Sequence, residues 1–265
     1  MLIMRDGLKP LNELLNADER NLHFVRRNLS TNEIKPNSIE AHYADIETYT
    51  VHASVPNNIA TQYDVARNIY SYAWFEYRFF NVAEASVLTV LELALKERIG
   101  EENIIAYIKQ HKGDICPETG KKINRQKGLK TYMEYCRDNQ LVFNNAFSAW
   151  HRYPTQLARI MAEQAQFSWA TAEMEGTGKT EIELPDIVIE KLPPDENYDH
   201  IQHLINYVNK LRNGYAHGNT NLYADVLKTF EMVSEFINQL YPAQKSMNTH
   251  RLTINKECPK DETNS

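Results

Sequence analysis

From Ile59 to Ile99 the chain contains neither glycine nor proline. Apolar residues recur through this stretch in steps of three and four: Ala66, Ile69, Tyr70, Ala73, Trp74, Tyr77, Phe80, Val87, Val90, Leu91, Ala94 and Leu95. At 3.6 residues per turn such steps fall on one side of an α-helix, so the pattern predicts a helix with a buried face. A single helix of about 40 residues would be about 60 Å long at 1.5 Å per residue. That is long for one domain, so a break is expected, placed near Asn81. Seven aromatic residues crowd the middle (Tyr70, Tyr72, Trp74, Phe75, Tyr77, Phe79 and Phe80), a density that implies burial on more than one side. Gly100 is the expected stop, because glycine accepts the left-handed conformation that closes many helices.

The rest of the chain follows the same period, and the reading is all-α: a helical bundle over residues 56–242 with an N-terminal extension, 1–55, and loop insertions. Helices are expected over 101–108, 129–140 and 143–171, the last broken near Pro154. A further helix is expected over 199–217, on the stripe Ile201, Leu204, Ile205, Val208, Leu211 and Tyr215, with Gly218 just past its end. The closing helix carries Tyr223 to Leu240, with N-cap residues among Asn219, Thr220 and Asn221, and Pro242 stops it. Within the extension, Leu8–Leu15 reads as a short helix and Ile39–Val55 as one or two short strands. Residues 111–128 read as an exposed loop. Residues 172–198 read as a surface insertion with a short strand at 181–184, and 243–265 as a disordered tail.

Composition sets outer limits. The 265 residues are 42% hydrophobic and 24% charged, ordinary for a folded water-soluble chain, with a net charge of −6. A coat protein for nucleic acid would be basic, so any contact with RNA must use a local patch. Cys116, Cys136 and Cys258 are odd in number and widely spaced, which suggests neither disulfide framework nor zinc site and fits a reducing cytoplasm. The first residues do not read as a leader, and no apolar run reaches the length of a membrane span. The segment Gly176-Thr177-Gly178-Lys179-Thr180 imitates a phosphate loop, but Glu173 stands where that pattern needs its first glycine. His111 and Cys116 lack further ligands at usable spacing, so no metal site and no cofactor is expected.

One stretch carries chemistry: Leu211-Arg212-Asn213-Gly214-Tyr215-Ala216-His217-Gly218, at the end of an amphipathic helix. Asn213 and His217, four apart, share a helix face, and Arg212 sits at the edge of the apolar stripe. A guanidinium offers phosphate bidentate hydrogen bonds and a permanent charge, while an imidazole exchanges a proton near neutral pH. Together they form a minimal set for RNA cleavage by the adjacent ribose 2′-OH. The same residues also fit a structural role, in which Arg212 pairs with a carboxylate and His217 faces the helix C-terminus.

This motif resembles the signature of the HEPN superfamily (higher eukaryotes and prokaryotes nucleotide-binding). That signature is an arginine, a polar residue, and a histidine after four to six intervening positions. Two further segments resemble a bacterial subgroup of the family. They are Tyr72–Phe79 leading into Leu91–Lys96, similar to its long first helix, and Val233–Pro242, similar to its closing helix. The resemblance covers about residues 60–242, with 110–198 poorly matched. It implies an all-α bundle that forms a homodimer, the motifs of two subunits lining one cleft. Many such proteins are metal-independent endoribonucleases in toxin–antitoxin, abortive-infection or other defence systems. Others have lost activity and bind nucleotides or partners. Carried over, Arg212 and His217 are catalytic, Asn213 supports them, and Glu92, with Glu84 as alternate, is the acidic residue on an earlier helix. Lys121, Lys122, Arg125 and Lys127, with Lys130 beside them, are candidates for tracking an RNA backbone.

Overall fold

The computed structural model describes residues 7–28, 31, 33–115, 120–187, 189, 192–193, 195–216 and 225–243. The fold is all-α. Its helices are α1 (Glu19–Leu22), α2 (Ile39–Glu47), α3 (Asn57–Tyr72), α4 (Phe79–Ile99), α5 (Glu101–Gln110), α6 (Leu129–Asp138), α7 (Ser148–Thr177), α8 (His200–Ala216) and α9 (Leu227–Leu240). The one sheet among the described residues is an antiparallel pair, β1 (Val25–Arg27) and β2 (Ile34–Pro36), with Arg26 opposite Lys35. No helix among the described residues is long and apolar enough to cross a membrane.

α4 is the axis of the bundle. It packs against α3, α9, α6 and α8, and ten of its residues are buried, from Phe80 to Ile99. A helix surrounded on several sides has no polar face to spare, which is why its apolar positions run nearly all round. Its own Leu91 is fully enclosed, as are Tyr63, Ile205, Phe230 and Phe236 around it. Gly100 ends α4 at φ 77°, as expected of a glycine stop, and its N–H donates to Lys96 O.

The break in the long apolar stretch falls at residues 73–78, ahead of the expected Asn81. The N-terminal extension holds it there. Asn21 Nδ2 donates to Ala73 O at 2.8 Å and to Trp74 O at 3.0 Å. Asp18 N–H donates to Trp74 O at 2.9 Å, and the Asp18 carboxylate accepts from Tyr77 N–H at 3.0 Å. These are the backbone groups that a continuous helix would have paired internally.

Several local expectations are corrected. Ile39–Glu47 is helix α2, not strand. Ser38 Oγ caps it by accepting from Ala41 N–H. His42 carries it into the core, stacked on Tyr70 at 4.5 Å, with Nε2–H donating to Tyr70 O at 2.9 Å. α7 runs unbroken through Pro154. Pro154 is only the seventh residue of the helix, where its missing N–H deprives Trp150 O alone of a partner. α7 also extends to Thr177, and 181–184 is not a strand. α9 begins at Leu227 rather than near residue 222, and the expected caps at 218–221 lie outside the described residues. In the extension, Leu11–Glu13 forms one 3-10 turn rather than a helix over Leu8–Leu15.

Candidate functional site

α8 places the Arg–Asn pair. Ile201, Leu204, Ile205 and Val208 are buried, and Leu211 and Tyr215 pack on the core at its C-terminal end. Asp199 Oδ1 accepts from Gln202 N–H and Asn144 Oδ1 from Ile201 N–H, which anchors the opposite end. Arg212 follows Leu211 by one residue, a rotation of about 100° that takes it off the buried stripe to the surface. It is exposed. Among the described residues none makes with its guanidinium the ion pair that a structural role would use.

Arg212 stands between two clefts. On one side it shares a cavity of about 320 Å³ with Ala85, Leu88, Thr89 and Glu92 of α4 and with Tyr215. Glu92 is half-buried there and takes Lys96 Nζ at 2.6 Å, one turn along its own helix. On the other side Arg212, Asn213 and Asn209 border a cavity of about 270 Å³ whose far wall is residues 123–131 with Glu134. Arg212 borders both cavities, Asn213 only the second and Glu92 only the first. His217, one residue beyond the last turn of α8, lies outside the described residues.

The basic cluster divides. Arg125 is nearly enclosed, held by Glu134 at 3.1 Å and Asp114 at 2.9 Å and lying over the Tyr107 ring at 5.8 Å. Its charge is spent on fixing the loop against α5 and α6. Lys127 is exposed and pairs with Glu101; Lys130 is exposed and lies 3.8 Å from Glu134. Both line the cavity that reaches Arg212, and Lys121 and Lys122 do not.

Glu84, the alternate acidic residue, has a different position. It is 3% exposed, deep under α8. Its carboxylate accepts from Tyr215 Oη, inside the motif, and from Thr229 Oγ1 of α9 at 2.5 Å. A buried carboxylate without donors would be very costly, so this arrangement joins α4, α8 and α9 at one point. The sequence held a partial signal for it: a lone acid, Glu84, between Ala83 and Val87 on the apolar face of α4.

Among the described residues no three of His, Cys, Asp and Glu come together as a metal-binding group. The Gly176–Thr180 segment closes α7, with Gly178 in the left-handed conformation at φ 69°. A phosphate loop requires the reverse order, a loop that opens a helix. No protein-family model, no curated protein and no solved structure matches this chain.

Proposed function

We propose that the chain is a HEPN-type, metal-independent endoribonuclease of bacterial defence, toxin–antitoxin or stress response, acting as a cytoplasmic homodimer. The observation that supports this reading is the Arg212 guanidinium, without a partner among the described residues and exposed between two clefts, one lined by Asn213 and the other by Glu92. A surface arginine with carboxylates nearby usually takes one. One left without a partner is ready for an anion.

In the reaction the ribose 2′-OH attacks the adjacent phosphorus, the bond to the 5′-oxygen breaks, and a 2′,3′-cyclic phosphate forms. Arg212 holds the phosphate and balances the charge that accumulates on its oxygens. His217 moves the proton between the attacking and leaving oxygens. Asn213, on the Lys127 side, orients the neighbouring sugar–phosphate. Glu92 lines the opposite cleft and holds Lys96 by an ion pair at 2.6 Å. An antitoxin or defence-system partner would act by covering Arg212.

The test is incubation of the wild type, Arg212→Ala and His217→Ala with a mixed RNA pool in EDTA, with fragment ends read for cyclic phosphate. The wild type is expected to cleave, and each variant to lose about 10²–10³-fold or more while keeping its circular dichroism spectrum. Equal cleavage by His217→Ala overturns the mechanism. A folded wild type that binds RNA at Arg212 without cleaving it leaves a non-catalytic nucleotide-binding module instead.

A further inference from the structure

α4 is buried on several sides, and one line that it leaves open is Ala85, Thr89, Glu92 and Lys96, spaced four, three and four residues apart along one face. Two cavities lie on this line. The first, of about 320 Å³, is the one that Arg212 borders, with Leu88 and Tyr215 in its wall. The second, of about 410 Å³, has Leu93 and Lys96 in its wall, with Gln62 of α3. Thr89 and Glu92 line both, so the two adjoin, Arg212 belonging to one and Lys96 to the other. Ligand pockets begin at roughly this size.

The chemistry changes along the groove. Arg212 supplies a cation with no ion-pair partner among the described residues, suited to a phosphate. Leu88 and Tyr215 then supply an aliphatic and an aromatic side chain, and Tyr215 is fixed by the hydrogen bond from its Oη to Glu84. Such walls suit the flat face of a base. Beyond them Lys96 Nζ lies 2.6 Å from Glu92 Oε1, and no other described residue donates to that carboxylate. A Glu–Lys pair one turn apart is ordinary on an exposed helix face. Here the Glu92 side chain is only 19% exposed and lines a cavity on either side. Across the pair, a ligand meets one donor and then two acceptors.

We infer that this groove reads a guanine nucleotide of single-stranded RNA, its phosphate on Arg212, Glu92 accepting from the base N1–H and N2–H, and Lys96 donating to O6. The inference rests on Arg212 as the phosphate holder of the reading above. Guanine alone among the four bases presents acceptor, donor and donor in that order along its pairing edge. Adenine and cytosine set an amino group against the Lys96 donor. Uracil sets its O2 against the carboxylate. The pairing edge is open only in unpaired RNA, so a guanosine within a duplex is not read.

The test uses the full chain and the 5′-monophosphates of guanosine, inosine and adenosine, with binding followed by calorimetry. The guanosine nucleotide is expected to bind about tenfold or more tighter than the adenosine one, the discrimination of one bidentate pair. The inosine nucleotide, which lacks the N2 amino group, is expected to fall between them. Glu92→Gln is expected to remove most of this preference with an unchanged circular dichroism spectrum. On a mixed RNA pool, wild-type cuts are expected beside unpaired guanosines, and Glu92→Gln is expected to spread them over the other bases. A role for Glu92 in catalysis alone would slow all cuts alike and leave their distribution as it was. Equal binding of the guanosine and adenosine nucleotides, or a preference that Glu92→Gln leaves intact, overturns the inference. Cleavage with no guanosine at the cut overturns it while the ribonuclease reading stands. Guanosine-selective binding without cleavage does the reverse.

Discussion

A buried carboxylate, Glu84, decides how the motif helix sits. It accepts from Tyr215 on α8 and from Thr229 on α9, so the phase of α8, and with it the direction in which Arg212 leaves the surface, is tied to α4. Tyr215→Phe and Thr229→Val each remove one donor from a charge that water cannot reach. Each is expected to cost about 1–3 kcal/mol in urea unfolding. Tyr215→Phe is also expected to reduce RNA binding, since Arg212 lies one turn back on the same helix. At this scale the sequence was legible in part. The types and order of Arg212 and Asn213 on a helix could be read, and the resemblance named Glu92, with Glu84 as alternate, as the acid on an earlier helix. Periodicity alone does not separate the two, two turns apart on a helix buried on several sides; only the structure shows Glu92 lining a cleft with Arg212 and Glu84 buried under α8.

At the scale of elements, the turn between α3 and α4 shows how a distant segment sets a boundary. Nothing within residues 59–99 stops a helix, yet the chain turns at residues 73–78, where Asn21 and Asp18 take over the backbone groups of Ala73, Trp74 and Tyr77. Asn21→Ala is expected to leave the buried Ala73 carbonyl without its donor, Trp74 O keeping Asp18 N–H, and to lower stability by about 1–3 kcal/mol, measured by thermal or urea melting. Its hydrogen-exchange signature would be loss of protection concentrated at residues 70–80 rather than spread through α9. Pro154 gives the reverse lesson. A strong breaker in sequence did little because it fell near the start of α7, where one lost hydrogen bond is tolerated.

At the scale of the whole molecule, two histidines couple stability to pH. Burial holds His200, packed beside Phe147 and Tyr198, down to about 4, the nearby His203 adding to the effect. Burial likewise lowers His42 inside its aromatic cage. Unfolded histidine titrates near 6.5, so below that pH the unfolded chain binds protons that the folded chain refuses. Stability is therefore expected to be full above about pH 6.5 and to fall as the pH drops toward about 4. His200 alone contributes about 1–2 kcal/mol of that loss at pH 5. Melting temperatures at pH 7.5 and pH 5 check this. His200→Phe, which keeps the ring contacts and removes an Nε2 that has no partner among the described residues, is expected to flatten the slope.

The sequence by itself determined the helical class, most helix positions, the glycine stop after α4 and the placing of Arg212 and Asn213 at the end of α8. These follow from the 3.6-residue period and from the conformational limits of glycine and proline, which act within a few residues. Only the tertiary structure decided where the long apolar stretch turns, that residues 39–47 are helix, that Arg125 is tied to Glu134 and Asp114, and that Arg212 has no partner among the described residues. Each of these depends on groups far apart in the chain, such as Asn21 with Ala73, His42 with Tyr70, and Arg125 with Glu134. A buried polar group takes whichever partner the packing brings to it, and spacing along the sequence carries no record of that choice.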